Sequence, residues 1–296
     1  MTTPPVCDYE GSDYRTRFWE NQGRDYEDNV ERIALRAMLP PHGRTLIEIG
    51  AGFGRLAAEY IGYDHVVLFD YSRSLLREAQ EKWGHDPRFL FVAGDWYKMP
   101  FVAGLFEAMV QIRTIHHAAD VPALFQQLRR ISQPGAHYVL EFANKRNLKA
   151  MLRHALRRQD WSPYDERPIE FAALNFDFHP RWMRQQLQAA GFAPGAMRAV
   201  SHFRIPFLKR LVPTKLLAGV DGVIQPTGKW WQLTPSVFVH YRTAGQPPAQ
   251  LPTHFFACPT DQPPLPTPTT DDATLTCPTC GREWRREKGL YDFKGD

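Results

Sequence analysis

The sequence predicts an α/β fold built on a doubly wound, largely parallel sheet. Between residues 44 and 142, short apolar runs alternate with amphipathic ones. The apolar runs are nearly continuous in Val, Ile, Leu and Phe, as strands covered on both faces require. The first run breaks into glycines at alternate positions, Gly50, Gly52 and Gly54. A strand that turns on glycine is a place where backbone can press against a ligand.

The elements follow in order. Residues 14–39, with aromatics early and an apolar stripe late, predict a helix. TLIEIG (45–50) predicts a strand and LAAEYI (56–61) a helix. HVVLFDY (65–71) reads as strand and SLLREAQEKW (74–83) as helix. RFLFVAGD (88–95) and EAMVQIRT (107–114) are strand-like, ALFQQLRRIS (123–132) is helical, and HYVLEFA (137–143) is strand-like. Residues 179–190 predict a helix closed by Gly191; 196–205 and 235–243 predict strands. Between those strands lies an insertion, IPFLKRLVPTKLLAGVDGVIQPTGKWWQL. From Gly245 to Thr270 the composition shifts to Pro, Gln and Thr, which is linker material.

The bulk numbers bound the answer. A chain of 296 residues suits one large domain with a small addition, or two modest domains. No run reaches the apolar length of a membrane span, and the N-terminus lacks a secretory signal pattern, so a cytoplasmic protein is expected. The net charge of +4 permits nucleic acid or an anionic surface and demands neither. Of four cysteines, Cys7 stands alone and reads as incidental, while Cys258, Cys277 and Cys280 cluster as a metal site would.

The glycine turn has acidic company. Glu48 lies inside the strand end before Gly50, Asp70 ends the next strand, and Asp95 ends the third. Acids at the C-terminal ends of successive strands line one crevice of such a sheet. An acid after the second strand suits ribose hydroxyls, because a carboxylate accepts two hydrogen bonds from a diol. The Gly-x-Gly-x-x-Gly spacing that seats a dinucleotide pyrophosphate is missing, and an acid before the glycines suits a cationic ligand better than a phosphate. Tyr71 and Trp96 follow two of the acids as candidate walls for a base.

This constellation resembles the class I S-adenosylmethionine-dependent methyltransferases, in particular the type 11 group with its quinone-methylating relatives. The resemblance covers residues 44–143 well and 179–242 loosely. It implies a Rossmann-like, doubly wound seven-stranded methyltransferase sheet. It also implies that EIGAGFG (Glu48, Gly50, Gly52, Gly54) holds the methionine and sugar parts of the cofactor, Asp70 the ribose and Asp95 the adenine amine. VQIRTIHH then lies where the fourth motif borders the transferred methyl.

The chemistry narrows further. An Asn or Asp followed by Pro-Pro-aromatic, the mark of a large class of base-amine methylases, is absent after the fourth strand, and residues 44–243 contain no cysteine nucleophile for cytosine-C5 chemistry. O-, C- or N-methylation of a small or lipid-like acceptor remains. His116 and His117 are the candidate general bases or acceptor-orienting groups, since a neutral imidazole suits proton work near pH 7. Arg113 is a candidate for holding the cofactor or an acidic substrate group.

Residues 144–158, NKRNLKAMLRHALRR, form a basic amphipathic pattern. The favoured expectation is a helix packed on the sheet with a solvated basic face; the alternatives are contact with a membrane surface or with nucleic acid. Phe207, Trp230 and Trp231 are candidates for an apolar acceptor pocket.

The tail carries two knuckles, Cys258-Pro259-Thr260-Asp261 and Cys277-Pro278-Thr279-Cys280, at zinc-ribbon spacing. Asp261 stands where a fourth cysteine is expected, and His254 is another candidate ligand. A block this small generally needs a staple. Zinc is one; packing of Trp284, Tyr291 and Phe293 on the main domain is the other.

The expected organisation is an N-terminal helical cap (1–43), a cofactor-binding core (44–143), acceptor-binding lids with the remaining strands (144–244), a Pro-rich linker (245–253) and a zinc-ribbon-like tail (254–296). The expected activity is S-adenosylmethionine-dependent methyl transfer to a small or lipid-like acceptor. Its rivals are an RNA-modifying methyltransferase that uses the ribbon and basic helix, and a non-catalytic cofactor- or partner-binding protein.

Overall fold

The structure is a computed structural model that describes residues 4–12, 15, 22–266 and 273–295. Most of residues 13–21, the start of the helix expected over 14–39, lies outside the described residues. What is described of it is α1 (Asp25–Arg36), with Asp25, Glu27 and Asp28 in its first turn and Arg36 in its last. Those charges oppose the helix dipole at each end. Its buried stripe is Tyr26, Val30, Ala34 and Leu35, a helical spacing.

The core then alternates as the apolar runs require. It comprises β1 (Gly43–Ile49), β2 (Tyr63–Asp70), α2 (Arg73–Trp83), β3 (Phe89–Ala93), β4 (Phe106–Gln111), α3 (Val121–Ile131) and β5 (Ser132–Ala143). Ser72 caps α2 by accepting from Leu75 N at 3.2 Å, and Asp120 caps α3 by accepting from Ala123 N at 2.9 Å. The run LAAEYI does not make an α-helix. It closes as a 3-10 turn, Ala57–Tyr60. Gly62 ends it, because a Cβ there would meet Pro41 O at 1.9 Å, and the chain turns directly into β2.

The later elements are α4 (Leu148–Ala155), the hairpin β6 (Ile169–Ala172) with β7 (Asn175–Asp177), α5 (Pro180–Ala189) and β8 (Phe192–Val200). The insertion folds as α6 (Pro206–Leu211) and α7 (Thr214–Ile224), and β9 (Ser236–Thr243) follows. The strand expected over 196–205 thus begins earlier. Gly191, at φ 86°, turns the chain straight from α5, and Phe192 pairs with Thr243. The insertion packs back on α1: Tyr26 Oη donates to Asp221 at 2.6 Å, and Lys209 Nζ meets the Glu27 carboxylate at 2.9 Å.

Seven strands form the expected sheet in the order β3-β2-β1-β4-β5-β9-β8. β3 through β5 are parallel; β9 runs antiparallel between β5 and β8. Both faces are covered by buried side chains, as the unbroken apolar strands required. The tail does not hang beside this sheet. Its strands β10 (Thr274–Thr276), β11 (Glu283–Glu287) and β12 (Leu290–Asp292) extend it to ten, with β12 parallel to β3 and Leu290, Tyr291 and Asp292 opposite Phe91, Val92 and Ala93. Phe256 packs on Tyr291 and Phe293 of the tail and on Phe101 of the core, so the packing staple is real.

Candidate functional site

The C-terminal ends of β1, β2 and β3 face a cavity. Gly50 and Gly52, Asp70 and Tyr71, Gly94 and Trp96 form one side; Arg113, Thr114 and His117, from the loop after β4, form another. The N-terminal segment closes it with Val6, Cys7 and Tyr9.

The glycines have different reasons. All three have positive φ, where a side chain is strained. A Cβ on Gly50 would lie 2.3 Å from Thr114 Cγ2, so Gly50 permits the close approach of the loop after β4. A Cβ on Gly52 would have no atom nearer than Leu75 Cδ1 at 4.0 Å; this glycine keeps the cavity open. A Cβ on Gly54 would press on Ala79 and Trp83 at 3.2 Å, so that glycine seats the turn on α2.

Asp70 shapes the turn from the other side. Its two carboxylate oxygens accept from Gly52 N at 2.7 Å and Ser72 N at 2.8 Å. Burial pushes its carboxyl above the usual range, and those N–H donors pull it back. Lys294 of the tail stacks its ammonium 3.9 Å from the Tyr71 ring centroid. Trp96 Nε1 is buried and has no hydrogen-bond partner among the described residues.

A second cavity adjoins the first and shares Tyr9, Arg113 and His117 with it. His116, Glu141, Phe171, Asn175 and Asp177 are among its other walls. Burial, with the Glu141 charge adding to it, pushes the Asp177 carboxyl up to about 6. Glu141 is itself raised by burial; it accepts from Arg113 N at 2.9 Å and from Ser236 Oγ at 2.7 Å.

The two histidines are not equivalent. His117 Nδ1 lies 2.8 Å from the Leu174 carbonyl, which can only accept, so Nδ1 carries the proton. Its Nε2 therefore accepts from Tyr9 Oη at 3.2 Å. Both ring nitrogens are engaged. His116 packs against it at a ring separation of 4.0 Å and faces the second cavity. Burial holds both imidazoles below their ordinary pKa, His116 more strongly, so both are neutral near pH 7.

Arg113 is fixed beneath the site. Its backbone has φ 59°, and its Nε donates to Glu31 Oε1 at 2.6 Å. Glu31 is fully buried and also pairs with Arg55 at 2.9 Å. Burial would raise its carboxyl; the Arg113 and Arg55 guanidinium groups outweigh that and hold it low.

Of the site residues expected from the sequence, Gly50, Gly52, Asp70, Tyr71, Trp96, Arg113 and His117 line the first cavity, and His116 lines the second. Glu48, Gly54 and Asp95 line neither. Glu48 is buried, its carboxyl pushed up to about 8 by burial against the pull of Arg55. Asp95 accepts from Tyr97 N at 2.8 Å and caps the 3-10 turn Trp96–Lys98. Phe207, Trp230 and Trp231, expected around the acceptor, are 66%, 69% and 58% exposed and line neither cavity. Cys7, read as incidental, is a wall of the first cavity. Tyr9, Glu141 and Asp177 were missed. A lone acid inside the apolar run HYVLEFA was the available signal for Glu141; nothing local marks Tyr9 or Asp177.

In the tail, Cys258, Asp261, Cys277 and Cys280 bring one donor atom each within 4.8 Å of one another. The Sγ atoms of Cys258 and Cys280 are 3.8 Å apart. Zn–S bonds of about 2.3 Å in a tetrahedron put sulfurs about 3.8 Å apart. His254 is outside this group; its Nδ1 is 3.1 Å from Thr253 Oγ1.

Comparison with known proteins bears on the family and the fold. A family model described as a methyltransferase domain matches residues 18–194, more than half of the chain. A demethylmenaquinone methyltransferase of Roseiflexus sp. (strain RS-1) is 31% identical over 129 residues, 42% of this chain and 53% of that one. A sterol 24-C-methyltransferase of Gibberella zeae is 30% identical over 98 residues, 31% of this chain and 26% of that one. The chain thus spans about half the length, or less, of these curated relatives. A solved complex between the Haloferax volcanii Trm112 methyltransferase activator and a methyltransferase matches with TM-score 0.54 and 15% identity, covering 79% of this chain and 95% of that one. At that identity the likeness speaks to the fold.

Proposed function

The chain belongs to the methyltransferase-domain family, and from that premise we propose that it transfers a methyl group from S-adenosylmethionine to a small or lipid-like organic acceptor. The observation that carries this reading is the pair of cavities joined at Tyr9, Arg113 and His117. One holds a donor, the other an acceptor, and the shared wall is where they meet.

The first cavity fits S-adenosylmethionine in kind. Gly52 leaves a space that a Cβ would fill, Asp70 offers a carboxylate at a strand end for a ribose diol, and Tyr71 and Trp96 offer aromatic walls. Trp96 Nε1 supplies a donor that lacks a partner among the described residues. When bound, S-adenosylmethionine supplies a methyl group already activated by its sulfonium. The work left to the chain is alignment of the acceptor and handling of its proton. His116 is the proton acceptor in this reading, because it is neutral, faces the acceptor cavity, and does not share the bonds that occupy His117. Asp177, its carboxyl pushed up to about 6, lines the same cavity. His117, held by Tyr9 and Leu174, positions the shared wall.

The lipid-like class of acceptor is supported by the quinone and sterol named in the relatives and by the aromatic Phe171 beside polar groups in the second cavity. We also propose that Cys258, Asp261, Cys277 and Cys280 hold zinc, on the chemistry of the donor set and the sulfur spacing.

Calorimetry with S-adenosylmethionine, with NAD as control, tests the donor site. Binding of the former alone, lost in Asp70→Ala, is the expected result. Labelled cofactor is then offered with cell extract split into lipid-soluble and RNA pools. Label in the RNA pool would favour the rival RNA-modifying reading, and no binding of S-adenosylmethionine would remove the proposal.

A further inference from the structure

The basic face of α4 is exposed as its pattern suggested, but its leucine stripe is not packed inward. Its one buried residue is the small Ala150. Leu148, Leu152 and Leu156, at successive intervals of four, are 50%, 55% and 63% exposed. They form one wall of a groove whose other wall includes Ile205, at the start of α6, and Leu233. The basic side chains Lys149, Arg153 and Arg158 also line the groove, as does Arg204, which pairs with Glu27 at 3.5 Å; no acidic side chain is among its lining in the described residues. The groove shares Asn147, Arg204 and Pro235 with the second cavity, so the two adjoin.

We propose that this groove is a docking surface for an anionic lipid bilayer. Exposed leucines in one stripe flanked by cations are the chemistry of a helix lying in the interfacial plane. The leucines leave water for the acyl boundary, while the cations meet anionic headgroups. No described helix is long and apolar enough to cross a membrane, so the contact is peripheral. Nucleic acid fits the cations but gives the leucine stripe nothing to bury against. The groove lies beside the second cavity and would bring an apolar acceptor in the bilayer close to the site; that link, unlike the surface itself, rests on the methyl-transfer reading.

Co-sedimentation of the full chain with vesicles tests the surface. The chain is expected to sediment with phosphatidylcholine–phosphatidylglycerol vesicles, weakly with phosphatidylcholine alone, and less at high salt. Leu152→Glu and Leu156→Glu, together, are expected to weaken sedimentation by tenfold or more, on the order of what one buried leucine contributes. Arg153→Glu reads the charge contribution separately. Melting temperature and S-adenosylmethionine affinity, unchanged in the variants, show that fold and donor site are intact. Absence of sedimentation, sedimentation indifferent to the leucine substitutions, or binding of RNA in preference to vesicles would overturn the proposal. Vesicle binding by a protein that fails to bind S-adenosylmethionine supports the surface and removes the methyl-transfer reading instead.

Discussion

Gly50 and Gly52 are two positions apart and both left-handed, yet alanine is expected to damage them in different ways. The left-handed strain is common to both, about 1–2 kcal/mol each. At Gly50 the new Cβ falls 2.3 Å from Thr114 Cγ2 and 2.7 Å from Thr114 Cβ, so Thr114 must move. Overpacking costs about 1–3 kcal/mol, and displacing Thr114 endangers its 3.1 Å hydrogen bond to Ile49 O, about 1 kcal/mol more. Gly50→Ala is therefore expected to lose roughly 3–6 kcal/mol of stability. At Gly52 the new Cβ meets nothing within 4.0 Å and the N–H to Asp70 is kept, so only the strain remains. That Cβ instead enters space a donor ligand needs. An overlap of about 1–3 kcal/mol there is roughly a fivefold to 150-fold loss of affinity. Urea unfolding measures the first quantity and calorimetry with S-adenosylmethionine the second. If Gly52→Ala bound as tightly as the unaltered protein, or lost as much stability as Gly50→Ala, the division of labour argued for this turn would be wrong.

Two further expectations concern charge and metal. Glu48 has an ordinary carboxyl pKa of 4.5 and is raised to about 8 in the fold; its contribution to stability is present below 4.5 and is lost as pH rises through about 8. Glu48→Gln removes that slope, so its stability relative to the unaltered protein should improve by roughly 3–4 kcal/mol between about pH 5 and about pH 8. Urea curves at both pH values that keep the same difference would refute this. Chelation of the purified protein should lower the melting temperature by about 5 °C or more if the cysteine cluster holds zinc, at about 2–4 °C per kcal/mol; Cys277→Ser should mimic the effect and Cys7→Ser should not. A metal-free protein with an unchanged melting temperature would leave packing as the tail's only staple.

What the sequence revealed is what is local. Strand periodicity and the glycine turn depend on neighbours along the chain, and both were legible. The acids Asp70, Glu48 and Asp95 were legible as strand ends, but not where their side chains turn. That depends on Arg55, Tyr97 and Gly52. Tyr9 reaches His117 across 108 positions of chain, and no spacing rule encodes such a contact. The exposure of the leucines of α4 was missed for a related reason. Its stripes of leucine and cation are equally compatible with facing in or out, and the packing of Ala150 decides it. β12 is only three residues long, too short for any pattern to announce its pairing with β3.

That short pairing matters for solubility. Without the tail, β3 would be the sheet's margin, presenting the unpaired backbone of FLFVA to other copies of the chain. Such a margin invites intermolecular strand addition. With β12, β11 and β10 in place, the margin is instead a three-residue strand bearing Thr274 and Thr276, both exposed. Short polar margins resist accretion. With or without a metal, the C-terminal segment covers the edge of β3, and deleting it to obtain a minimal core is expected to expose an adhesive surface.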